Sequence, residues 1–417
     1  MVRQRNTGIF RVVSFWRSAL CLLLAAATLC SFAGCTVTAG AEELSKGYMR
    51  KALDEGEIHE AYIQAAADFS LSLFKNALPD GTDNYLLSPF SALLCFTLIA
   101  NGADGSTKEE IERCLGMTVE DLNKALYAHV GSLSKEDCKL FIANSIWIQE
   151  NLPVKETFLQ TGADWYDAQV FSAPFDESTV KDINRWTQKQ TGGMIDKMID
   201  EISKDTVMYL INTLYFDSSW ADKYEKSQIR DSVFTAYDGQ KDTVKMMYST
   251  ENSYLRDGQA QGFMKKYKDN YAFVGLLPEE GSDIYEYAAS LDGAGWLQLL
   301  GSERSDSVSV GIPRFSYDAK TDIKDALEKM GISQMFDGGA DFSQMSDDSL
   351  CCGGMFQKAK IELNENGTKA TAVTWGEMTK GEGFADEIQI ILNRPFLYAI
   401  VDTNTGLPLF IGIVSTL

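Results

Sequence analysis

Histidine is the scarcest functional side chain here: the 417 residues include two, His59 and His129. That scarcity removes most hydrolytic and metal chemistry, which rests on imidazole as base or ligand. No His-Glu-x-x-His, Gly-x-Ser-x-Gly or phosphate-binding loop occurs either. Ser72-Leu-Phe-Lys75 has the Ser-x-x-Lys spacing, but its companion Ser-Asp-Asn and Lys-Thr-Gly motifs are missing, and the match is expected by chance. Cys-x-x-Cys pairs and Cys/His clusters are also missing, so no zinc site is expected. Cationic charge is short as well, 38 Lys and Arg against 59 Asp and Glu. A net charge of −21 argues against nucleic acid and anionic membrane as partners. The expectation is a protein that is not an enzyme and holds no cofactor or metal.

No apolar run is long enough for a membrane span, which needs about 20 residues. The N-terminus instead has the build of a targeting segment. Arg3, Arg5, Arg11 and Arg17 precede an apolar core, Ala19 to Leu29, and then the small pair Ala33-Gly34. Gly34-Cys35 resembles a bacterial lipoprotein processing site, with Phe32 where Leu is usual; plain secretion with cleavage near Ala39 is the alternative. Either way the protein is exported, to the cell surface or beyond, and Cys35 would be its sole attachment to a membrane. Losing residues 1–34 removes four arginines and no acid, moving the net charge from −21 to −25. Residues 35–60 are polar and read as a tether. Cys35, Cys95, Cys114, Cys138, Cys351 and Cys352 remain, too sparse for a small disulfide scaffold. Cys95 lies in an apolar run and reads as a buried small hydrophobe. Cys351-Cys352 is inert or redox-sensitive.

Residues 61–417 contain no repeat, low-complexity tract or linker, although cores commonly divide beyond about 250–300 residues. Their first half is mainly helical: Tyr62, Ala66, Phe69 and Leu73 recur at helical spacing. Ser88-Pro89 places a cap and a first-turn proline before an all-round apolar helix, and Thr107–Glu110 has the capping-box form. The second half is strand-rich, with apolar runs at Val207–Phe216 and Ile388–Leu392. A late helix carries Ile323, Leu327 and Met330 on one face and stops at Gly331. The mixture predicts an α+β fold with large, mainly antiparallel sheets.

One window stands out. From Thr368 the even positions to Met378 are Thr, Ala, Ala, Thr, Gly and Met, while the charges Lys369 and Glu377 are odd. Alternate side chains of a strand face opposite sides, so one face is free of charge. Yet such small residues bury little area and would hold a sheet weakly. From these residues alone two readings stand: a mobile loop patterned to insert into a sheet, or an edge strand followed by a Gly-rich turn.

Other segments resolve the choice. Asn84–Ser91, Gly102–Ile111, Ile183–Gly192, Leu210–Trp220, Val244–Met247, Leu277-Pro278, Ile312–Phe315, Gly339–Ser343, Asn393–Leu397 and Pro408–Gly412 follow in an order and spacing that resembles the serpin family of protease inhibitors. The likeness covers 61–417. It implies about nine helices, three sheets and an exposed reactive loop near the C-terminus. It also implies a suicide-substrate mechanism, acting as a monomer on trypsin-, chymotrypsin- or elastase-like serine proteases. The protease acylates itself on the loop, the cut loop inserts as a strand, and the displaced acyl-enzyme no longer deacylates. Glu365, Gly367, Thr368, Ala370, Ala372 and Thr374 match the inhibitory hinge. Trp220 and Arg314 match the breach where the loop enters, with an Arg314–Glu365 ion pair expected. Ser88, Ser91 and Asn212 match the polar shutter beneath the opening sheet, where Gln357 replaces the usual histidine. Counting from Gly367 puts the bait residue at Gly381, and counting back from Pro395 puts it at Phe384; Lys380 is the preferred candidate. A non-inhibitory carrier or chaperone, or an inhibitor of cysteine proteases, are the alternatives.

Overall fold

A computed structural model describes residues 40–417, apart from 52, 54–55, 80, 134–137, 203–205 and 369–387. Seventeen strands, numbered along the chain, form three sheets among the described residues. The largest runs β1-β4-β3-β5-β14-β13-β12: Glu42–Glu43, Gln169–Ala173, Cys138–Gln149, Met208–Ser219, Gly367–Thr368, Met355–Asn364 and Phe315–Asp322. A second runs β2-β17-β16-β10-β9-β8: Tyr85–Leu87, Pro408–Val414, Phe396–Asp402, Tyr271–Pro278, Ala260–Lys266 and Leu255–Arg256. The third runs β15-β11-β7-β6: Ile388–Ile391, Val308–Pro313, Lys241–Glu251 and Ile229–Thr235. Nine α-helices lie among the described residues, which makes the expected α+β fold.

Two central helices pack on each other, and the second of them also packs against β3 and β5 of the largest sheet. Helix α1, Glu60–Asn76, buries Tyr62, Ala66, Phe69 and Leu73, the residues whose spacing predicts it. Helix α2, Pro89–Ala100, is buried at every position, as an all-round apolar helix must be. Its Ser88 is the N-cap residue but does not cap through its side chain; Ser88 Oγ donates to the Leu409 carbonyl at 2.6 Å. The capping box expected at Thr107–Glu110 does not form. Asp104 starts helix α3, Gly105–Leu115, one turn earlier by accepting from Gly105 N. Thr107 Oγ1 instead accepts from Asp341 N, and Glu110 accepts from Ser333 N and Gln334 N. Tertiary partners have taken both side chains. The late helix spans Lys324–Lys329, with Ile323 and Leu327 buried and Gly331 at φ +93°.

The tether expected over 35–60 is not free where it is described. Glu42 and Glu43 pair antiparallel with Ser172 and Phe171, and Leu44 N donates to Val170 O at 2.7 Å. β1 thereby covers the outer edge of β4, whose unpaired backbone groups favour such a partner. Beyond it, Arg50 Nε donates to Asp164 O at 2.9 Å, and its guanidinium lies 4.8 Å from the Tyr127 ring centre. Two residues of strand are too few to leave an alternating signal in sequence.

Candidate functional site

At the centre of the large sheet, β5 and β13 are joined at both ends, and among the described residues no ladder links the two strands between those joints. At the base, β5 and β13 pair directly and in parallel, Leu210–Asn212 beside Met355–Gln357. At the top, the two-residue β14 stands between them, antiparallel to both: Thr368 pairs with Ser218 and with Leu363. Among the described residues, no ladder joins Thr213–Asp217 of β5 to Lys358–Glu362 of β13. Two parallel strands joined in this way at top and base have the geometry to take one antiparallel strand between them.

The top of the gap is built around Trp220, which is fully buried. Its ring stacks on Tyr267, centroids 4.3 Å apart, and its indole N–H donates to the Asn364 carbonyl at 2.9 Å. Its backbone N–H donates to Asn366 O, and Tyr224 N donates to Glu365 O. Three consecutive carbonyls before β14 are therefore held by one short turn. Glu365 reaches the other way, to Arg314 Nη2 at 2.8 Å, so the expected ion pair is present, partly exposed on both sides. Gly367 has φ +141°, and a Cβ there would lie 2.1 Å from the Ser218 carbonyl oxygen. Only glycine fits that approach. Thr368 points inward, 3% exposed, with Oγ1 2.7 Å from the Tyr267 hydroxyl. The even-numbered face of the window thus begins as expected. Ala370, Ala372, Thr374, Lys380, Gly381 and Phe384, like Cys35, lie outside the described residues.

At the base, Gln357 holds helix α2 through both ends of its amide. Oε1 accepts from Ser88 N at 2.6 Å, and Nε2 donates to Ser88 O at 2.8 Å and to Ser91 Oγ at 3.5 Å. An amide both accepts and donates, so glutamine sustains a network that histidine would otherwise make. Asn212 sits beside Gln357 in the ladder, but its side chain turns away and donates to Asn144 Oδ1 at 2.6 Å. The other polar core lies beyond α2. His129 of helix α4, Val119–Ser132, is fully buried, with Nδ1 2.7 Å from the Tyr62 hydroxyl and Nε2 3.0 Å from Asp402 Oδ2. Burial raises the Asp402 pKa, but bonds from His129, Asn404 N–H and Thr405 outweigh it and leave the carboxyl below its ordinary value.

Sequence reasoning missed four residues at the top of the gap: Tyr224, Tyr267, Glu251 and Lys265. The last two form an ion pair at 2.7 Å against the Trp220 and Tyr224 rings. One signal was available. Adjacent residues of a strand face opposite sides, so Lys265-Lys266 at the end of β9 obliges one lysine to point inward.

Residues 64–417 match the model of the family described as Serpin (serine protease inhibitor). The chain belongs to the serpin family. Serpins are generally inhibitors of proteases and not catalysts. Among solved structures, the thermophilic serpin tengpin in the native state is 40% identical, covers 90% of this chain and 100% of its own, and superposes with a TM-score of 0.87. The same protein in the latent state gives 0.78 at 39% identity, covering 87% of this chain and 100% of its own. Serpin-ZX of Arabidopsis thaliana is 30% identical over 374 residues, 82% of this serpin and 95% of the relative. This serpin therefore superposes better on the native than on the latent arrangement of that neighbour.

Proposed function

We propose that this serpin is an irreversible suicide-substrate inhibitor of serine endopeptidases, working by insertion of its cleaved loop into the large sheet. The observation that carries the reading is the register of β14. Thr368 faces Ser218 and Leu363. Continued without a break, that register sets residues 369–373 against Asp217–Thr213 on one side and Glu362–Lys358 on the other. Five residues at about 3.3 Å each would span the stretch over which no β5–β13 ladder is described. Thr374 then arrives opposite Asn212 and Gln357, where the sheet is closed. From there, insertion must part the base pairing beneath which Gln357 grips Ser88. With Thr368 inward, Ala370 and Ala372 would follow it inward at no steric cost, and Lys369 would stay out.

The bait residue is proposed within 380–384, with Lys380 ahead of Phe384. Export and lipid attachment at Cys35 complete the proposal; they rest on the leader and on Gly34-Cys35 alone. The test is incubation with trypsin-, chymotrypsin- and elastase-like proteases. A complex that survives denaturant, and a released peptide beginning at Gly381, would support inhibition with Lys380 as bait; a peptide beginning at Ala385 would move the bait to Phe384. Cleavage by all three without any stable complex would reject inhibition and favour a carrier or chaperone. Trapping of cysteine proteases alone would move the target class.

A further inference from the structure

Lys265 is 2% exposed while its neighbour Lys266 faces solvent. Its Nζ lies 2.7 Å from Glu251 Oε1, 4.5 Å from the Tyr224 ring centre and 5.5 Å from that of Trp220. Ser249 Oγ closes the ring, 2.6 Å from Glu251 Oε1 and 3.3 Å from the Tyr224 hydroxyl. Burial raises the Tyr224 pKa, so the phenol stays neutral in this company. Both rings against the ammonium belong to the turn that holds Asn364, Glu365 and Asn366 by their carbonyls.

As a source of stability this is a poor choice. A buried pair is often matched or bettered by apolar residues of the same volume, and a methionine at 265 would pack against two aromatic rings without desolvating a charge. What the ammonium adds is direction. A cation over a ring face, tied on its other side to a carboxylate, fixes where the ring lies. Of the two rings it fixes, that of Trp220 donates its indole N–H to the Asn364 carbonyl, and that of Tyr224 belongs to the residue whose backbone N–H holds Glu365. We infer that Lys265 and Glu251 are positioning residues for loop insertion, holding Trp220 and Tyr224 in the orientation that receives residues 364–368. The inference rests on the insertion mechanism proposed above. It predicts that losing the pair slows insertion, and that more of each acyl-enzyme then escapes as cleaved serpin.

The test uses the full chain with Lys265→Met, Glu251→Gln, the double variant and Lys265→Arg. Two quantities are read with one protease: the rate of loop cleavage, and the moles of serpin consumed per mole of protease trapped. Cleavage should stay within about twofold of wild type, while consumption rises about fivefold or more in Lys265→Met and in the double variant. Lys265→Arg, which keeps the charge and the aromatic contact, should return it to within about twofold. A purely structural pair would lower melting temperature without changing that ratio. Should Lys265→Met fail to fold, the double variant, which leaves no unpaired charge, is read by the same criteria. Wild-type consumption in the double variant would overturn the inference. A wild-type protein that gains no heat resistance on nicking would overturn the insertion mechanism itself, and this inference with it; a normal gain with unchanged variants overturns the pair alone.

Discussion

Thr368→Arg attacks the first inward position of the inserting strand. Thr368 is almost wholly buried, and its hydroxyl meets Tyr267, which stacks on Trp220. A guanidinium forced into that place would meet a region whose carboxylates Glu365 and Glu251 are already paired, with Arg314 at 2.8 Å and Lys265 at 2.7 Å. An unpaired buried ion costs several kcal/mol. Because Thr368 is already seated in the uncut protein, arginine first expels β14; if about 4 kcal/mol is then felt when the strand seats again with the loop behind it, insertion slows by about 10³ relative to deacylation. The bait region is untouched, so acylation should continue at the wild-type rate. The assay titrates a fixed amount of protease with increasing inhibitor and separates denaturant-stable complex from cleaved serpin. Wild type should give mainly complex and Thr368→Arg mainly cleaved product. Thr368→Val is the control: it forfeits one hydrogen bond, worth about 1 kcal/mol, and should still trap. Complex formed by Thr368→Arg at wild-type stoichiometry would refute the claim that this side chain goes inward.

Gly367→Ala should dislodge β14 from the sheet and raise the exposure of Thr368, because its Cβ would fall 2.1 Å from the Ser218 carbonyl; hydrogen exchange at Ser218 and Ser219 unchanged from wild type would contradict this. Gln357→Ala leaves Ser88 N–H and C=O buried without their amide partner, and should destabilise the uncut protein by about 1–3 kcal/mol in denaturant melts; no change would mean that water replaces the side chain. Asp402, held below its ordinary value, contributes stability that is full above the unfolded carboxyl value of about 3.9 and is lost as pH falls through the folded one. Asp402→Asn should therefore melt lower than wild type at neutral pH and lose less between about pH 5 and 2, and parallel curves would remove that assignment.

Much of this fold is written in periodicities. The face Tyr62, Ala66, Phe69 and Leu73 is one, and the unbroken apolarity of α2 another, because burial on one side or all sides leaves a mark at every turn. The Arg314–Glu365 pair joins residues 51 positions apart, and the Ser88–Ser91–Gln357 cluster joins residues 266 and 269 positions apart. They were legible only through resemblance, since no local pattern encodes a distant partner. Where local rules failed, a tertiary contact had outbid them. Thr107 and Glu110 look like a capping box until Asp341 and the Ser333–Gln334 turn claim them. The two residues of β1 carry no period at all, and their docking depends on the free edge of β4. The Lys265–Glu251 pair was signalled by two adjacent lysines at the end of β9. The pairing with Glu251, fourteen residues earlier, required the sheets to be in place.

The central claim is that the gap between β5 and β13 receives residues 369 onward as a strand. Nicking the loop with a protease that is not trapped frees that segment to enter without any complex to complicate the measurement. Melting temperatures of intact and nicked protein, taken in the same buffer, then report directly on the sheet. The account predicts a nicked form that melts far above the intact one, since a full antiparallel strand has been added at the centre of the largest sheet. Equal melting temperatures would contradict it.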